Sequence, residues 1–424
     1  MSTNRAATNE ATKAGASFPE SRRVGTQGRE RDQRSSKFKV QSSKTARRVA
    51  VVTGSRSEYG LLRSTIRAVA AHPRLELRII ATGTHLLPKF GSTYREIVRD
   101  GWKIDAKVPM QRGDDGPLDQ AEGLSRGVAG IAQQLQRLGA DIVLVLGDRL
   151  EAMAGALAGV TTGRIVAHIH GGDVAPGDFD DSLRHAITKL AHVHLAATES
   201  AARRILQMGE PSTRVHVVGA PGLDRVRELR SSEFEVRSSK KTTLIVQHPC
   251  GRSAAVERRT MGNILRAVGA GGLDAVCIYP NSDRGHGGIV AAIKAHRKHV
   301  APGRFRVFRS LDQDSFLRRL MSADLLLGNS SSGMIEAASA GTPAVNVGDR
   351  QRGRECDARF VVQAKETEPS IRAAIREALA LRPVMGQSGI YGDGRSGRRI
   401  AALLARVPLT DALRRKIFAD LSHA

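Results

Sequence analysis

Two stretches decide the fold: Val49–Thr53 reads V-A-V-V-T, and Ile142–Arg149 reads I-V-L-V-L-G-D-R. Each is a short, nearly continuous apolar run that ends in polar residues. Strands of this kind are buried on both faces, as in a parallel sheet that is covered by helices. Segments of helical composition, such as Glu151–Gly159 and Gly333–Ala340, separate such runs and fit right-handed crossovers. The pattern predicts an α/β fold.

The runs fall into two groups. In the first half of the chain the predicted strands are Val49–Thr53, Leu77–Thr82, Ile142–Gly147, Arg164–Ile169, Val193–Thr198 and Val215–Gly219. In the second half they are Thr243–Gln247, Leu273–Tyr279, Phe305–Phe308, Asp324–Gly328, Ala344–Val347 and Phe360–Val362. We therefore predict two doubly wound, Rossmann-like domains, residues 47–225 and 243–395, the second of which binds a nucleotide.

Two segments lack this alternation of apolar runs and helical segments. Residues 1–46 are rich in Ser, Arg and Thr and have no apolar signal core, so we predict a disordered basic tail. Residues 226–242 contain R-S-S-E-F-E-V-R-S-S-K at Arg230–Lys240, which is identical at 8 of 11 positions to Arg34–Lys44. An isolated duplicate does not make a solenoid, and we interpret it as a low-complexity linker.

Composition excludes several classes of protein. Hydrophobic residues make up 41% of the 424 residues, and no apolar run approaches the roughly 18 residues of a membrane span. The three cysteines, Cys250, Cys277 and Cys356, are far apart. Neither a disulfide framework nor a thiolate zinc site is expected, and a reducing cytoplasm fits best.

The chain is strongly basic, with a formal net charge of +24. Such a balance raises the possibility of nucleic-acid binding. The arginines, however, are scattered along predicted helices, and aromatic residues, which stack on bases, make up only 4% of the chain. We expect no specific nucleic-acid partner. A basic body also suits an anionic small substrate.

Ligands of doubly wound sheets bind beyond the carboxyl ends of the strands. Gly54–Tyr59 follows the first strand and is neither G-x-G-x-x-G nor a P-loop, so the usual nicotinamide and nucleoside-triphosphate fingerprints are missing. Gly147-Asp148-Arg149 offers a carboxylate and a guanidinium together. His168–Asp173 reads H-I-H-G-G-D and places two histidines on one face. They suggest either a metal site or hydrogen-bonded groups of a polar cleft, and we favour the second.

The segment that begins at Asp180-Asp181 places carboxylates at a predicted helix start, with Arg184 and His185 one turn later. One of the two aspartates could cap the helix, and the group could equally form an acid/base cluster. In the second half, Asn329–Gly333 leads into Glu336. Hydroxyl side chains and unpaired backbone N–H groups there suit a diphosphate, although a serine cap explains them equally well.

Taken together, these motifs resemble those of the hydrolysing UDP-N-acetylglucosamine 2-epimerases of sialic-acid-type sugar biosynthesis, including the epimerase half of the animal bifunctional enzyme. The resemblance runs from about Val49 to Ile400 and rests on Gly54–Tyr59, Gly147–Arg149, His168–Asp173, Asp180–His194, Gln247–Pro249, Pro280–Asp283, Gly328–Glu336, Arg350–Glu355 and Ile390–Gly394.

The resemblance implies two Rossmann-like domains that face a cleft, the arrangement called GT-B, with C-terminal helices at 396–424 that cross back. It implies a homodimer that needs no redox cofactor or metal. The implied reaction eliminates UDP from UDP-N-acetylglucosamine to give 2-acetamidoglucal, and hydration then yields N-acetylmannosamine.

The resemblance also assigns residues. The implied catalytic residues are Asp148, His170, Asp180, Asp181, Arg184 and His248. The implied UDP-sugar-binding residues are Arg56, His85, Arg149, Asn281, Asp283, Ser330, Ser331, Ser332, Glu336 and Arg354.

One position departs from the family pattern. Several members have His-x-Glu-Gly-Gly where this chain has His168-Ile169-His170-Gly171-Gly172, so an imidazole replaces a carboxylate. An imidazole can still carry protons near neutral pH. It could equally mark enzymes that act on UDP-2,4-diacetamido-2,4,6-trideoxyglucose. A GT-B glycosyltransferase, which needs an acceptor sugar rather than water, remains a further alternative.

Overall fold

The computed structural model describes residues 46–112, 117–174, 179–230, 241–281, 283–381 and 388–420. The basic tail predicted at 1–46 lies outside these residues except for its last one. Of the linker predicted at 226–242, only 226–230 and 241–242 are described. Residues 226–230 continue a helix because Val226 and Leu229 are buried apolar side chains, and Thr242 already begins a strand.

The first half of the described chain forms a seven-stranded sheet in which all paired strands are parallel. Its strands are β1 Arg47–Thr53, β2 Leu75–Thr82, β3 Ala106–Val108, β4 Ile142–Leu146, β5 Ile165–Ile169, β6 Val193–Ala196 and β7 Val215–Val217. Their order across the sheet is β3-β2-β1-β4-β5-β6-β7. The three-residue edge strand β3 was not predicted from the sequence, because it has no continuous apolar run.

The second half of the described chain forms a six-stranded parallel sheet. Its strands are β8 Thr242–Val246, β9 Asp274–Ile278, β10 Phe305–Phe308, β11 Leu325–Gly328, β12 Ala344–Val347 and β13 Val361–Ala364, in the order β10-β9-β8-β11-β12-β13. The predicted α/β class, with two doubly wound sheets, is confirmed.

Helices cover both sheets. The α-helices of the described chain are α1 Arg56–Ala71, α2 Tyr94–Arg99, α3 Pro117–Leu138, α4 Leu150–Thr161, α5 Asp180–Leu190, α6 Glu199–Gln207, α7 Gly222–Arg230, α8 Ala254–Ala270, α9 His286–Arg297, α10 Gln313–Ser322, α11 Glu336–Ala340, α12 Glu368–Ala380, α13 Ser396–Leu404 and α14 Asp411–Arg414. The helix expected at Gly333–Ala340 is in fact two short pieces, because a 3-10 turn at Ser331–Gly333 precedes α11. No described helix combines the length and the apolar composition of a membrane span.

Alternate side chains of β1 are buried in two different cores, which explains why the strands are apolar throughout. Val49 and Val51 belong to the core that contains Ile66 of α1, whereas Ala50 and Val52 belong to the core that contains Ile131 of α3. Successive side chains of a strand point to opposite faces, so a strand with helices on both faces must be apolar at every position.

The C-terminal helix α13 returns to the first half. Its residues Ile400 and Leu404 are buried in the same core as α1. Asp224 of α7 fixes the start of α13, since its two carboxylate oxygens accept from the backbone N–H groups of Ser396, at 2.8 Å, and Gly397, at 2.7 Å. A carboxylate at a helix N-terminus satisfies unpaired donors and interacts favourably with the helix dipole.

Replacing Asp224 with Ala should therefore destabilise the protein. The change leaves two buried N–H groups without their acceptor, and we expect a loss of about 1–3 kcal/mol, seen as a lower midpoint of urea unfolding. Asp411→Ala is the matched control, because the side chain of Asp411 is 81% exposed and, within the described residues, forms an ion pair with Arg414 at 2.9 Å. Equal midpoints for both variants would contradict this account of how α13 is held.

Candidate active site

The carboxyl ends of β1, β4 and β5 bring three polar segments of the first half together. The order β2-β1-β4 reverses direction between β1 and β4, and this switch point is where doubly wound sheets bind ligands. Asp148 and Arg149 follow β4 through Gly147, whose positive φ of 79° suits a glycine. His170 follows β5, and Asp180 begins α5 from the next loop.

Arg184 ties these segments together. Its side chain is 3% exposed, and one terminal nitrogen donates to the carboxylate of Asp148. The other, Nη1, donates to the carbonyl of His170 at 3.2 Å, and Nε lies 3.8 Å from Oδ1 of Asp181. The structure therefore brings three other predicted catalytic residues, Asp148, His170 and Asp181, around one buried guanidinium.

His170 has an acidic partner that sequence reasoning missed. Its Nδ1 lies 3.0 Å from Oδ2 of Asp173, and both side chains are buried. Burial alone would raise the pKa of Asp173, but His170 and Arg354, whose Nη2 lies 4.0 Å away, hold the pKa well below its usual range. The signal was present, since Asp173 ends the quoted H-I-H-G-G-D motif three residues after His170.

The backbone of His170 is unusual. Its φ of 62° places it in the left-handed region, which residues other than glycine rarely occupy. This conformation follows directly after β5, where the N–H of His170 donates to the carbonyl of Leu195 at 3.2 Å. Strained backbone of this kind often occurs at functional sites.

Asp180 lies among charges from both halves of the chain. Burial and the nearby carboxylates of Asp148 and Asp283 raise its pKa to about 6, against the opposing effect of Arg149 and Arg350. Asp283 follows β9 and Arg350 follows β12 in the second sheet. A carboxyl group with this pKa can both give up and take back a proton near neutral pH.

The second half contributes His248 and its neighbours. Nδ1 of His248 accepts from the backbone N–H of Asn281 at 3.2 Å, and its own backbone N–H donates to Asn329 at 2.7 Å. Burial and the charge of Arg350 lower the pKa of His248 to about 3. A neutral ring whose Nδ1 accepts carries its proton on Nε2, which leaves that N–H as a donor.

The three serines lie beside this group at the end of β11. Ser330 caps the following 3-10 turn, and its Oγ accepts from the N–H of Ser332 at 3.3 Å. Glu336 is buried, which raises its pKa, and one of its carboxyl oxygens has no hydrogen-bond partner among the described residues. Hydroxyls, a serine-capped turn and a partly unpaired carboxyl group together suit an anionic, hydroxyl-bearing ligand.

Two predicted substrate-binding residues are engaged elsewhere. His85 is fully buried, with Nε2 3.2 Å from the hydroxyl of Thr53 and Nδ1 2.7 Å from that of Thr93. Arg56 forms an ion pair with Glu96 at 2.6 Å and donates to the hydroxyl of Ser310 in the second half. His85 is therefore closed to a ligand in this structure, whereas the side chain of Arg56 is 32% exposed.

Two histidines at the start of β6, His192 and His194, have hydrogen-bond partners. Nδ1 of His192 accepts from the N–H of Val166 at 3.0 Å, and Nε2 of His194 lies 3.0 Å from Glu210. Across the described ranges, no group of three or more His, Cys, Asp or Glu side chains is placed to hold a metal ion. These histidines are instead hydrogen-bonded parts of the sheet.

Comparison with known proteins shows the family of the chain. The sequence profile of the family described as UDP-N-acetylglucosamine 2-epimerase matches residues 67–405. The UDP-N,N'-diacetylbacillosamine 2-epimerase (hydrolyzing) of Legionella pneumophila is 34% identical over 370 residues, which are 86% of this chain and 97% of that protein. The UDP-N-acetylglucosamine 2-epimerase of Neisseria meningitidis serogroup B is 31% identical over 389 residues, 89% of this chain and 100% of that protein.

A solved structure shares the fold. The UDP-GlcNAc 2-epimerase from Neisseria meningitidis, crystallised with UDP-GlcNAc, superposes with a TM-score of 0.73 at 17% identity and covers 85% of this chain and 100% of that one. The family and the GT-B-like fold that the motifs predicted are thereby confirmed.

The environment of Asp180 makes a testable prediction. Asp148→Asn removes a like charge, so the pKa of Asp180 should fall from about 6 toward the ordinary aspartate range, by about one unit. Titration of the side-chain carboxyl 13C resonance measures it, with Asp180→Asn to assign the signal. Asp141→Asn, at the opposite end of β4, is the control and should leave the pKa unchanged. A pKa that stays or rises in Asp148→Asn would show that Asp148 does not act on Asp180.

Proposed function

The chain belongs to the UDP-N-acetylglucosamine 2-epimerase family, and we propose that it is a hydrolysing 2-epimerase that converts UDP-N-acetylglucosamine and water to UDP and N-acetylmannosamine. The observation that carries this proposal is the cluster of Asp148, Asp180 and Arg184 beside the buried pair of His170 and Asp173. It supplies proton donors and acceptors on one side of a cleft whose other side suits a nucleotide.

The chemistry requires early stabilisation of the leaving group. The proton on C2 of the sugar lies next to no carbonyl group, so it becomes acidic only as the bond from C1 to the UDP oxygen breaks. The hydroxyls and backbone of Ser330, Ser331 and Ser332 would receive the diphosphate, with the Nε2–H of His248 as a further donor. Glu336 would accept from the ribose hydroxyls. Arg354 would offset part of the diphosphate charge.

The proton transfers fall to the first half of the chain. A carboxylate takes the C2 proton as UDP leaves and the 2-acetamidoglucal forms. An acid on the opposite face then gives a proton to C2, which inverts C2, while water adds at C1 and passes its own proton to a neighbouring base. Asp180, with a pKa of about 6, is suited to either of these proton transfers near neutral pH. Asp148 and Asp181 flank it, and Arg184 holds Asp148 in place.

His170 would take the place of the glutamate that several family members have there. Because its Nδ1 is bonded to the ionised Asp173, the neutral ring carries its proton on Nδ1 and leaves Nε2 as an acceptor. Such a ring can accept a proton and hold it with support from Asp173, as a carboxylate would. The pair would thus form a second proton-transfer group of the elimination.

A second substrate is favoured by one observation. The 34% identical relative from Legionella pneumophila is described as acting on UDP-N,N'-diacetylbacillosamine and as hydrolysing. The same elimination and hydration can proceed on that sugar, since its C1 and C2 carry the same groups. We therefore propose it as the alternative substrate.

The deciding experiment incubates the purified protein with each UDP-sugar in deuterated water, without added metal or nucleotide cofactor, and follows the products by NMR. Release of UDP together with a free 2-epimerised sugar deuterated at C2 supports the proposal. Interconversion of the UDP-sugars without release of UDP would instead show a non-hydrolysing epimerase. UDP release only when an acceptor sugar is added would show a glycosyltransferase.

The pair of His170 and Asp173 gives a separate prediction. Asp173→Asn keeps the shape of the side chain but removes the charge that supports a protonated His170, so kcat should fall about 10- to 100-fold with little change in KM. Steady-state UDP release measures both constants. The matched control is Asp357→Asn, which removes an ion pair at 2.7 Å with Arg359, a residue whose side chain is 60% exposed. Unchanged kcat in Asp173→Asn would exclude this role for the pair.

A further inference from the structure

One buried carboxyl group next to the candidate site has no role in the proposed reaction. Glu151, in the first turn of α4, is fully buried, and neither of its carboxyl oxygens has a hydrogen-bond partner among the described residues. Among the described residues its ionic contact is with Arg149, whose Nε lies 3.6 Å from Oε2 of Glu151. A buried carboxylate without hydrogen bonds is costly and needs a reason.

The fold makes room for this side chain. A Cβ atom on Gly54 would come within 2.2 Å of Cγ of Glu151, and one on Gly83 within 2.3 Å of Oε1. The side chain of Glu151 therefore lies in a cradle formed by two loops, those after β1 and β2. These loops are themselves joined, because the carbonyl of Gly54 accepts from the N–H of His85 at 3.0 Å.

A second carboxyl group lies on the other side of Gly54. Oε2 of Glu58 accepts from the N–H of Gly54 at 2.8 Å, while its Oε1 has no partner among the described residues. Burial, together with the charge of Glu151, raises the pKa of Glu58 to about 8. Glu58 is therefore mostly neutral at pH 7, and Glu151 is the carboxyl group that lies next to Arg149.

Arg149 connects this buried group to the cleft. Its side chain is 39% exposed, yet its Nε is buried against Glu151 without a hydrogen-bond partner in the described structure. Its positive charge acts on the cleft carboxylates Asp148, Asp180 and Asp283. The guanidinium thus contacts the buried carboxyl group of Glu151 on one side and interacts electrostatically with the carboxylates of the cleft.

The geometry points to Glu151 as a positioning residue: its carboxylate, held between Gly54 and Gly83, fixes the guanidinium of Arg149 beside Asp180 and so sets the charge that Asp180 experiences. This inference rests on the proposed function only for its effect on turnover. Without Glu151, Arg149 is drawn toward the cleft carboxylates and its charge is no longer offset from below.

Several other groups also face Asp180, and they must be held constant in a test. They are Asp148 after β4, Asp283 after β9 and Arg350 after β12. The neighbouring charged groups on its own helix are Asp181 and the two residues that pair with Asp181, Arg184 and His185. A variant at Glu151 leaves all of them in place. A change in the titration of Asp180 then reports on Arg149.

The test combines Glu151→Gln, Arg149→Gln and the double variant. Carboxyl 13C titration of Asp180 in aspartate-labelled protein is the direct readout. Glu151→Gln should lower the pKa of Asp180 by about half a unit, and Arg149→Gln should raise it. In the Arg149→Gln background the added Glu151→Gln should have little effect, since it acts through Arg149. We also expect kcat/KM for UDP release to fall about 10-fold in Glu151→Gln. The acidic limb of the pH profile of kcat/KM should move to lower pH.

Glu76→Gln is the matched control, because Glu76 is near the opposite end of β2 and pairs with Arg48 at 3.2 Å. It should leave both readouts unchanged. An unchanged pKa of Asp180 in Glu151→Gln, or an equal shift in the Arg149→Gln background, would overturn the inference.

Two further arms keep the test decisive. If Glu151→Gln does not fold, Glu151→Asp replaces it, and the shorter side chain should also lower the pKa of Asp180 by withdrawing the carboxylate from Arg149. An unchanged pKa there would again overturn the inference. If the wild type turns over no UDP-sugar, the proposed function fails, but the titration of Asp180 still decides the role of Glu151.

Discussion

The candidate site depends on the interactions of the buried guanidinium of Arg184. A cation that is 3% exposed is tolerated only when its charge and its donors are matched, and removing a partner of such a pair costs several kcal/mol. Arg184 meets most of this demand with groups from three segments: the carboxylate after β4, the carbonyl after β5 and, as an ion pair without a hydrogen bond, the first turn of α5. One side chain thereby links the three segments that carry the candidate site.

The fold was largely predictable from the sequence, because a parallel sheet covered on both faces requires the continuous apolar runs that β1 and β4 display. The edge strand β3 and the interruption of the predicted helix around Met334 were not predictable. A strand of three residues at a sheet edge and a turn that begins with a serine cap leave no periodic pattern in the sequence. The same limit applies to helix α7, whose last residues continue into the stretch predicted as a linker.

The candidate site was predictable as a group, but not in its pairings. That Asp148, His170, Asp180 and Arg184 lie together follows from the rule that polar residues after parallel strands meet at one edge. That His85 is enclosed by Thr53 and Thr93, or that Arg56 is held by Glu96, depends on loop geometry that no local pattern encodes. Asp173 is the intermediate case. Its motif was visible, but its role needed the left-handed backbone of His170, which turns the ring toward it.

The two halves of the cleft differ in their chemistry, and this difference is what the proposed reaction needs. The first half supplies carboxylates and the pair of His170 and Asp173, whereas the second half supplies hydroxyls, a neutral His248 and the arginines after β12. Elimination requires the departing diphosphate to be stabilised while a proton leaves the neighbouring carbon. If both tasks fell to one cluster, the cations that stabilise the diphosphate would also lower the pKa of the base and weaken it. Separation across the cleft reduces this conflict, since of Arg149 and Arg350, which both lower the pKa of Asp180, only Arg350 comes from the second half. Burial, Asp148 and Asp283 outweigh these two arginines and keep that pKa at about 6.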